Sequence, residues 1–66
     1  MTTRELINQW QDGKIENGVY GSYVLDGNTN IVVEVESDCI TFKYLEGRFV
    51  RCETYYENGI VEEWFE

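Results

Sequence analysis

The sequence lacks histidine and proline and is poor in positive charge, with five Lys and Arg against 13 Asp and Glu. Without histidine, no unperturbed side chain titrates near neutral pH, and no Ser–His or Cys–His pair can form. Long apolar runs are also missing, since the longest uncharged apolar stretch, Ile31–Val33, is far shorter than a membrane-spanning helix. The absence of proline removes a residue that interrupts helices and central strands, so regular secondary structure is favoured.

The two cysteines and the N-terminal residues limit the cellular setting. Residues 1–8 have no apolar core typical of a signal peptide, so we expect a cytoplasmic protein that does not enter a membrane. Cys39 and Cys52 are too few for a disulfide scaffold and lack the CxxC spacing of zinc and redox sites. We expect Cys52 to be a small buried residue and Cys39 an incidental outer thiol, with no disulfide between them.

A metal site has one weak candidate. The segment Asp26–Asn30 places Asp and Asn at alternate positions, as calcium-binding loops do. It lacks the Glu that closes an EF-hand loop, and its flanks have the pattern of strands rather than helices. A turn rich in Asp, Asn and Gly is also what a β-hairpin needs. The sequence therefore predicts no metal and no cofactor.

Catalysis and direct nucleic-acid binding have little support in the sequence. Glu34 and Glu36 project from one face of a predicted strand about 6.6 Å apart, a separation that paired glycosidase carboxylates can have. Such a pair needs a concave, partly dry pocket that shifts one pKa, and a 66-residue sheet protein leaves little room for one. The basic residues form no patch that could follow a phosphate backbone: Arg4, Lys14, Lys43, Arg48 and Arg51. We expect neither an enzyme nor a nucleic-acid-binding protein.

The first segment has the signature of a short helix over about residues 3–12. Thr2 and Glu5 fit a capping box, in which the threonine caps the helix and the glutamate reaches back to its amide. An apolar face follows at helical spacing, formed by Leu6, Ile7 and Trp10. Gly13 then provides the residue that most often ends a helix.

From Val19 onward the apolar pattern has a period of two, and four turn signals rich in Gly, Asn, Asp and Ser divide it. Five strands result, over about residues 19–25, 31–36, 39–44, 48–56 and 60–65. Sequential antiparallel strands form a meander, and the helix covers its apolar face. The sequence predicts a single α+β domain over residues 1–66, with a small closed β-barrel of the same strands as the alternative.

The turns also predict a register, because a slip of one residue moves every side chain of a strand to the other face. We expect two-residue turns at Ser37-Asp38 and Asn58-Gly59 and a three-residue loop over 45–47. The resulting pairs are Val35–Ile40, Val33–Phe42, Phe42–Val50, Ile40–Cys52 and Cys52–Phe65. The predicted inner face consists of Ile31, Val33, Val35, Ile40, Phe42, Tyr44, Val50, Cys52, Tyr56, Val61 and Phe65.

The outer face of the predicted sheet combines carboxylates with large aromatic side chains. Aromatic residues anchor many protein interfaces, and complementary charge steers and orients the partner. The alternative is an ordinary solvated face whose acidity only aids solubility. The residues expected to bind a partner are Glu34, Glu36, Glu53, Tyr55, Glu62, Trp64 and Glu66.

The formal net charge of −8 repels nucleic acid and anionic membranes and attracts basic protein surfaces. We therefore expect a small acidic inhibitor that occupies the basic nucleic-acid channel of a larger protein, such as a nuclease or a nucleic-acid-guided complex. In size, acidity and lack of catalytic residues, the chain resembles phage-encoded anti-defence proteins, including anti-restriction and anti-CRISPR inhibitors that mimic DNA. The resemblance lies in bulk properties of the whole chain, and no shared motif assigns a role to a particular residue.

Two alternatives stay open. An interaction module, such as an immunity-type antitoxin or a regulatory subunit, would bind through aromatic anchors such as Tyr55 and Trp64 rather than through charge. A homodimer would pair exposed aromatics between subunits, although the negative charge of each subunit opposes contact between like faces. The first predicted strand, residues 19–25, could also extend a partner's sheet as an open edge.

Overall fold

The computed structural model describes residues 1–66 and contains one α-helix and five β-strands. The elements are α1 (Thr3–Gln11), β1 (Gly18–Leu25), β2 (Asn28–Val35), β3 (Cys39–Glu46), β4 (Phe49–Tyr56) and β5 (Val61–Phe65). Neighbouring strands are antiparallel, and their order across the sheet is that of the chain. Because β1 and β5 are its two edges, the sheet is open, which confirms the α+β meander over the barrel alternative. The single helix lacks the length and apolar character needed to cross a membrane.

Helix α1 begins at the predicted capping box. The Thr2 hydroxyl accepts a hydrogen bond from the Glu5 backbone N–H at 3.1 Å, and the Glu5 carboxylate accepts one from the Thr2 backbone N–H at 3.1 Å. These two bonds satisfy donors that the first helical turn leaves unpaired. The helix ends before Gly13, which has φ +70°, a left-handed conformation that glycine adopts without strain.

The core lies between α1 and one face of the sheet. Trp10 is buried with its indole N–H donating to the Glu36 carbonyl at 2.9 Å, so no polar atom of the ring is left unpaired. The buried cluster consists of Leu6, Ile7, Trp10, Leu25, Ile31, Val33, Val35, Ile40, Phe42 and Tyr44. We call this face the helix side and the opposite face the helix-free face. One cross-strand row on the helix side is Tyr20–Val33–Phe42–Glu53–Glu63, and the adjacent row on the helix-free face is Val19–Glu34–Thr41–Thr54–Glu62.

The hairpin of β1 and β2 is tighter and less regular than predicted. Its turn is Asp26-Gly27, with φ 53° and 83°, the pattern of a two-residue type I′ turn. The register shifts twice, and the extra residues are at Ser22 in β1 and Asn30 in β2, both with positive φ. The two β-bulges offset each other, so the pairs Tyr20–Val33 and Leu25–Asn28, on either side of the bulges, have the same register.

The register of β2 and β3 is confirmed. Val35 lies opposite Ile40 and Val33 opposite Phe42, on either side of the two-residue turn at Ser37-Asp38. Apolar matching and turn length favour the same pairing here, which is why the prediction holds.

The predicted connection between β3 and β4 is wrong. Glu46 pairs with Phe49 across a two-residue turn at Gly47-Arg48, so no three-residue loop forms. Gly47 has φ +59° whereas Arg48 has no positive φ, which is the pattern of a type II′ turn. This turn matches the right-handed twist of the strands that it joins.

The shorter turn moves the side chains of β4 to the face opposite to the predicted one. The observed pairs are Ile40–Tyr55, Phe42–Glu53 and Tyr44–Arg51, in place of Ile40–Cys52 and Phe42–Val50. Polar residues are tolerated on the helix side because they lie at the margin of the core. The Arg51 guanidinium carbon is 4.3 Å from the Tyr44 ring centroid, and its nitrogens bind Glu46 and Glu53. The residues predicted inside that lie on the helix-free face are Val50, Cys52 and Tyr56.

The loop between β4 and β5 is one residue longer than predicted. The Tyr56 backbone N–H donates to the Ile60 carbonyl at 2.9 Å, which encloses the three residues Glu57–Gly59. Gly59 has φ +89° at the last position, as three-residue hairpin loops require. Consequently Cys52 lies opposite Trp64 and not opposite Phe65.

Both cysteines are free, as predicted, and both are buried, which was predicted for Cys52 but not for Cys39. They lie on the same face, because Cys39 pairs with Tyr56 and Cys52 is on the same strand as Tyr56. Four residues of strand separate them, which is about 13 Å. This distance, rather than the opposed directions that the sequence suggested, keeps them from forming a disulfide.

Candidate interaction surface

The helix-free face has small, buried residues at its centre although no helix covers it. Thr41, Cys52 and Thr54 are at most 9% exposed. Cys52 lies between Lys43 and Trp64 on the neighbouring strands, whose long side chains flank it. The two threonine hydroxyls are 2.8 Å apart and hydrogen-bond to each other. The buried hydroxyls at the centre of this face are therefore hydrogen-bonded, and charged residues lie directly beside them on the neighbouring strands.

Lys43 is the only Lys or Arg in a strand whose side chain lies on the helix-free face. Its Nζ is 3.3 Å from Glu66 and 3.3 Å from Glu34. Hydrogen bonds to these two carboxylates raise the pKa of Lys43. Two anions thus neutralise the one cation that the strands place on this face.

Carboxylates gather where two turns of the sheet meet. In a meander, alternate turns lie at the same end, so the β2–β3 turn is next to the β4–β5 loop. The Glu57 backbone N–H donates to the Asp38 carbonyl at 3.0 Å and joins the two turns. We call this region, with its carboxylates Glu36, Asp38, Glu57 and Glu62, the acidic end.

Two neutral side chains show the electrostatic environment of the acidic end. Burial raises the pKa of the Cys39 thiol to about 12, and Glu36, whose carboxylate accepts a hydrogen bond from Sγ at 3.2 Å, adds to the rise. A hydrogen bond to Glu62 raises the pKa of the Tyr56 phenol to about 12. Nearby negative charge makes a group harder to ionise to an anion, which is the sign of both shifts. The same field attracts a cationic side chain.

A metal ion suits this cluster poorly. Glu36, Asp38 and Cys39 bring three ligand-type atoms within 4.8 Å of one another. Metals bind the thiolate, yet the raised pKa of Cys39 keeps its thiol protonated at neutral pH. Both carboxylates are exposed and form no ion pair within the chain, so each can meet a basic side chain of a partner.

Five of the seven predicted binding residues share the helix-free face: Glu34, Glu36, Glu62, Trp64 and Glu66. Glu53 and Tyr55 lie on the helix side instead, which corrects their predicted placement. The Tyr55 ring packs edge-to-face against Phe42 with centroids 5.7 Å apart, and Glu53 binds Arg51. The wrong register predicted for β4 accounts for both errors.

The predicted binding residues do not include three residues of the acidic end: Asp38, Tyr56 and Glu57. The signal that could have found them is topological. The β2–β3 and β4–β5 turns of any five-stranded meander are at the same end, so their carboxylates must come together. This proximity follows from the order of the strands alone and does not depend on their register.

Comparison of the chain with protein-family models, curated proteins and solved structures gives no match.

Proposed function

We propose that the protein is a small acidic inhibitor that occupies a basic nucleic-acid-binding surface of a larger protein, as a DNA mimic does. One observation carries the proposal. The only strand cation on the helix-free face is held by Glu34 and Glu66, whereas the carboxylates of the acidic end form no ion pair within the chain. These carboxylates are left to meet the Lys and Arg side chains that normally contact phosphates.

The sheet supports the proposal by fixing the spacing of the anions. Alternate residues of a strand, such as Glu34 and Glu36, are about 6.6 Å apart, close to two phosphate steps of about 3.4 Å each along a DNA strand. Glu34 and Glu62 lie in one cross-strand row, three strand spacings or about 14 Å apart. Anions held on a regular scaffold lose little conformational freedom on binding.

The partner that suits this surface is a nuclease or a nucleic-acid-guided complex, and the setting that suits it is the cytoplasm. There, two free thiols persist without oxidation. The role is one of binding rather than catalysis, as for phage anti-defence inhibitors. Binding through aromatic anchors alone has less support, because Tyr55 packs against Phe42, so that only one of the two expected anchors, Trp64, lies on the helix-free face.

A pull-down from host lysate at low and high salt tests the proposal. We expect a basic nucleic-acid-binding protein that high salt releases and that duplex DNA displaces, because screening weakens contacts between exposed charges. The variant Glu57→Lys, at the acidic end, should reduce capture about tenfold or more. Glu16→Lys makes the same charge change at an exposed position before β1, and should leave capture nearly unchanged. A salt-resistant partner without nucleic-acid activity, or equal losses in the two variants, would contradict the proposal.

A further inference from the structure

The two edges of the sheet differ. Strand β1 is interrupted by the bulge at Ser22, a feature that protects edges from pairing with other chains. Strand β5 pairs with β4 without a register shift, and all five of its residues are exposed. It contains no Lys, no Pro and no bulge, so its only protection is the negative charge of Glu62 and Glu63.

The hydrogen bonds of β5 show which backbone groups are free. The Ile60 carbonyl accepts from Tyr56, and the Glu66 backbone N–H donates to Val50, so even-numbered residues point toward β4. Because backbone groups alternate in direction along an antiparallel strand, odd-numbered residues point away from the sheet. The free edge therefore presents the N–H and C=O groups of Val61, Glu63 and Phe65.

The side chains of these odd-numbered residues lie on the helix side, and all three are exposed. Phe65 packs edge-to-face on Phe49 with centroids 6.0 Å apart, and Val61, Phe49 and Phe65 are between 49% and 61% exposed. Between them, Glu63 lies directly opposite Glu53. Like charges in this position destabilise a sheet, and the nearby Arg51 is already bound to Glu53 and Glu46. Glu63 is thus a carboxylate set between apolar groups without a cation.

We propose that the free edge of β5 accepts an extended segment of a basic partner as a sixth strand. The segment would place apolar residues opposite Val61, Trp64 and Phe65 and two adjacent Lys or Arg residues opposite Glu62 and Glu63, one on each face. Backbone bonds supply part of the affinity, and the pair of basic residues supplies the register. The sixth strand would be a second contact with the same partner, and it rests on the proposed function because the basic character of the partner comes from there.

A second copy of the chain fits this edge poorly. If β5 of one copy paired along its whole length with β5 of another copy, the two strands would be antiparallel and Glu63 would lie opposite Glu63. This pairing would align four carboxylates in one row, Glu53 and Glu63 from each copy, with no cation between the two Glu63 side chains. The charge that prevents self-pairing is the charge that a basic segment requires.

Hydrogen exchange measured by NMR on the full chain tests the proposal. The probe is a capped peptide, Ser-Ile-Val-Lys-Lys-Val-Ser, which runs antiparallel to β5 with its lysines opposite the two glutamates. At about 1 mM peptide, a range in which weak binding is detectable, we expect exchange of the Val61, Glu63 and Phe65 amides to slow about tenfold, with no change in β1. The peptide with both lysines replaced by glutamate should have no effect.

Three variants separate edge pairing from general charge attraction. Val61→Pro removes one outward N–H without breaking a bond to β4 and keeps every charge, so it should abolish the protection. Glu63→Lys should reduce protection by the lysine peptide, because one of its two lysines then lies opposite a lysine, whereas the control Glu16→Lys should bind as the unmodified chain does. Glu63→Gln keeps the N–H and weakens binding about threefold to tenfold, which tests the charge without a proline.

Protection that survives Val61→Pro, appears at β1, or develops with protein concentration in the absence of peptide would overturn the inference. So would a failure of the lysine peptide to protect β5. The proposed function has a separate readout, because Glu57→Lys should weaken salt-sensitive capture of the target while peptide protection at β5 stays intact. If the lysine peptide does not protect β5 while the target is still captured, the sixth-strand inference is overturned and the proposed function stands.

Discussion

Thr41 and Thr54 face each other across β3 and β4, with their side-chain oxygens 2.8 Å apart, and both are buried on a face that no helix covers. Each hydroxyl has the other as its partner, so removing one leaves the other buried and unpaired. We expect Thr54→Val to lower the free energy of unfolding by about 1–2 kcal/mol, the usual penalty for an unsatisfied buried hydroxyl. Urea unfolding would measure it.

The same pair allows a double-mutant cycle. The double variant Thr41→Val/Thr54→Val removes both hydroxyls and keeps the shape of both side chains, so its loss should be smaller than the sum of the single losses. Losses that simply add would show that the hydroxyls do not depend on each other. Because Val and Thr have nearly the same shape, the substitutions leave no cavity that could cause a difference.

Arg51 should stabilise the fold more than its position in a polar strand suggests. It stacks on Tyr44 and binds Glu46 and Glu53, so Arg51→Ala removes a cation–π contact and leaves two carboxylates without their cation. We expect a loss of about 1–2 kcal/mol in the free energy of unfolding. Arg51→Lys should recover only part of it, because an ammonium group cannot stack as a planar guanidinium does.

Urea unfolding of Arg48→Ala provides the control for Arg51. Arg48 is an exposed residue of the β3–β4 turn, and no ion pair holds it. Its substitution should change the free energy of unfolding by less than about 0.5 kcal/mol. Equal losses in the two variants would mean that net charge, and not the contacts of Arg51, determines the stability.

The contacts of Arg51 show why one part of this fold, the register of β3 and β4, could not be predicted from the sequence. The helix, the five strands and the β2–β3 register follow from capping residues, turn residues and apolar periodicity, which all agree there. At the β3–β4 connection they disagree, because Gly47 suits both the end of a three-residue loop and the start of a type II′ turn. Apolar matching favours the loop, and the observed register is compatible with the core because Arg51 stacks on Tyr44 and binds Glu46 and Glu53, contacts that only the folded structure reveals.

Only part of the candidate surface is predictable from the sequence. Alternation along β2 and β5 predicts the face of Glu34, Glu36 and Glu62 correctly, whereas the basic partner that the net charge indicates stays a prediction. Glu53 was misplaced because one wrong turn length reverses a whole strand. The raised pKa of Tyr56 depends on a contact with Glu62 between neighbouring strands, which no local pattern encodes.

The phenol of Tyr56 should titrate late, and Glu62 should be the reason. Its hydrogen bond to Glu62 raises the pKa to about 12, so Glu62→Gln should return the pKa toward the usual value of about 10. A raised pKa means that the folded state favours the protonated phenol. This contribution to stability is complete below about pH 10 and is lost as the pH rises through about 12.

Ultraviolet absorbance of tyrosinate during a pH titration of the folded protein checks this prediction. Burial also raises the pKa of Tyr44 and Tyr55, so the titration of Tyr56 is obtained as the difference from a Tyr56→Phe variant. A difference curve that is the same with Glu62 and with Gln at that position would show that the carboxylate is not the cause.

Lys43→Gln should strengthen binding to a cationic partner although it removes an ion-paired residue. Lys43 neutralises Glu34 and Glu66, so its loss frees two carboxylates on the helix-free face and changes the net charge from −8 to −9. We expect affinity for a decalysine peptide, measured by calorimetry at low salt, to rise about threefold. Lys14→Gln makes the same change in net charge in the α1–β1 connection and should have a smaller effect. At about 1 M salt, where the Debye length is about 3 Å, the difference should vanish. An equal gain in both variants would show that total charge, rather than the arrangement of the helix-free face, governs the attraction.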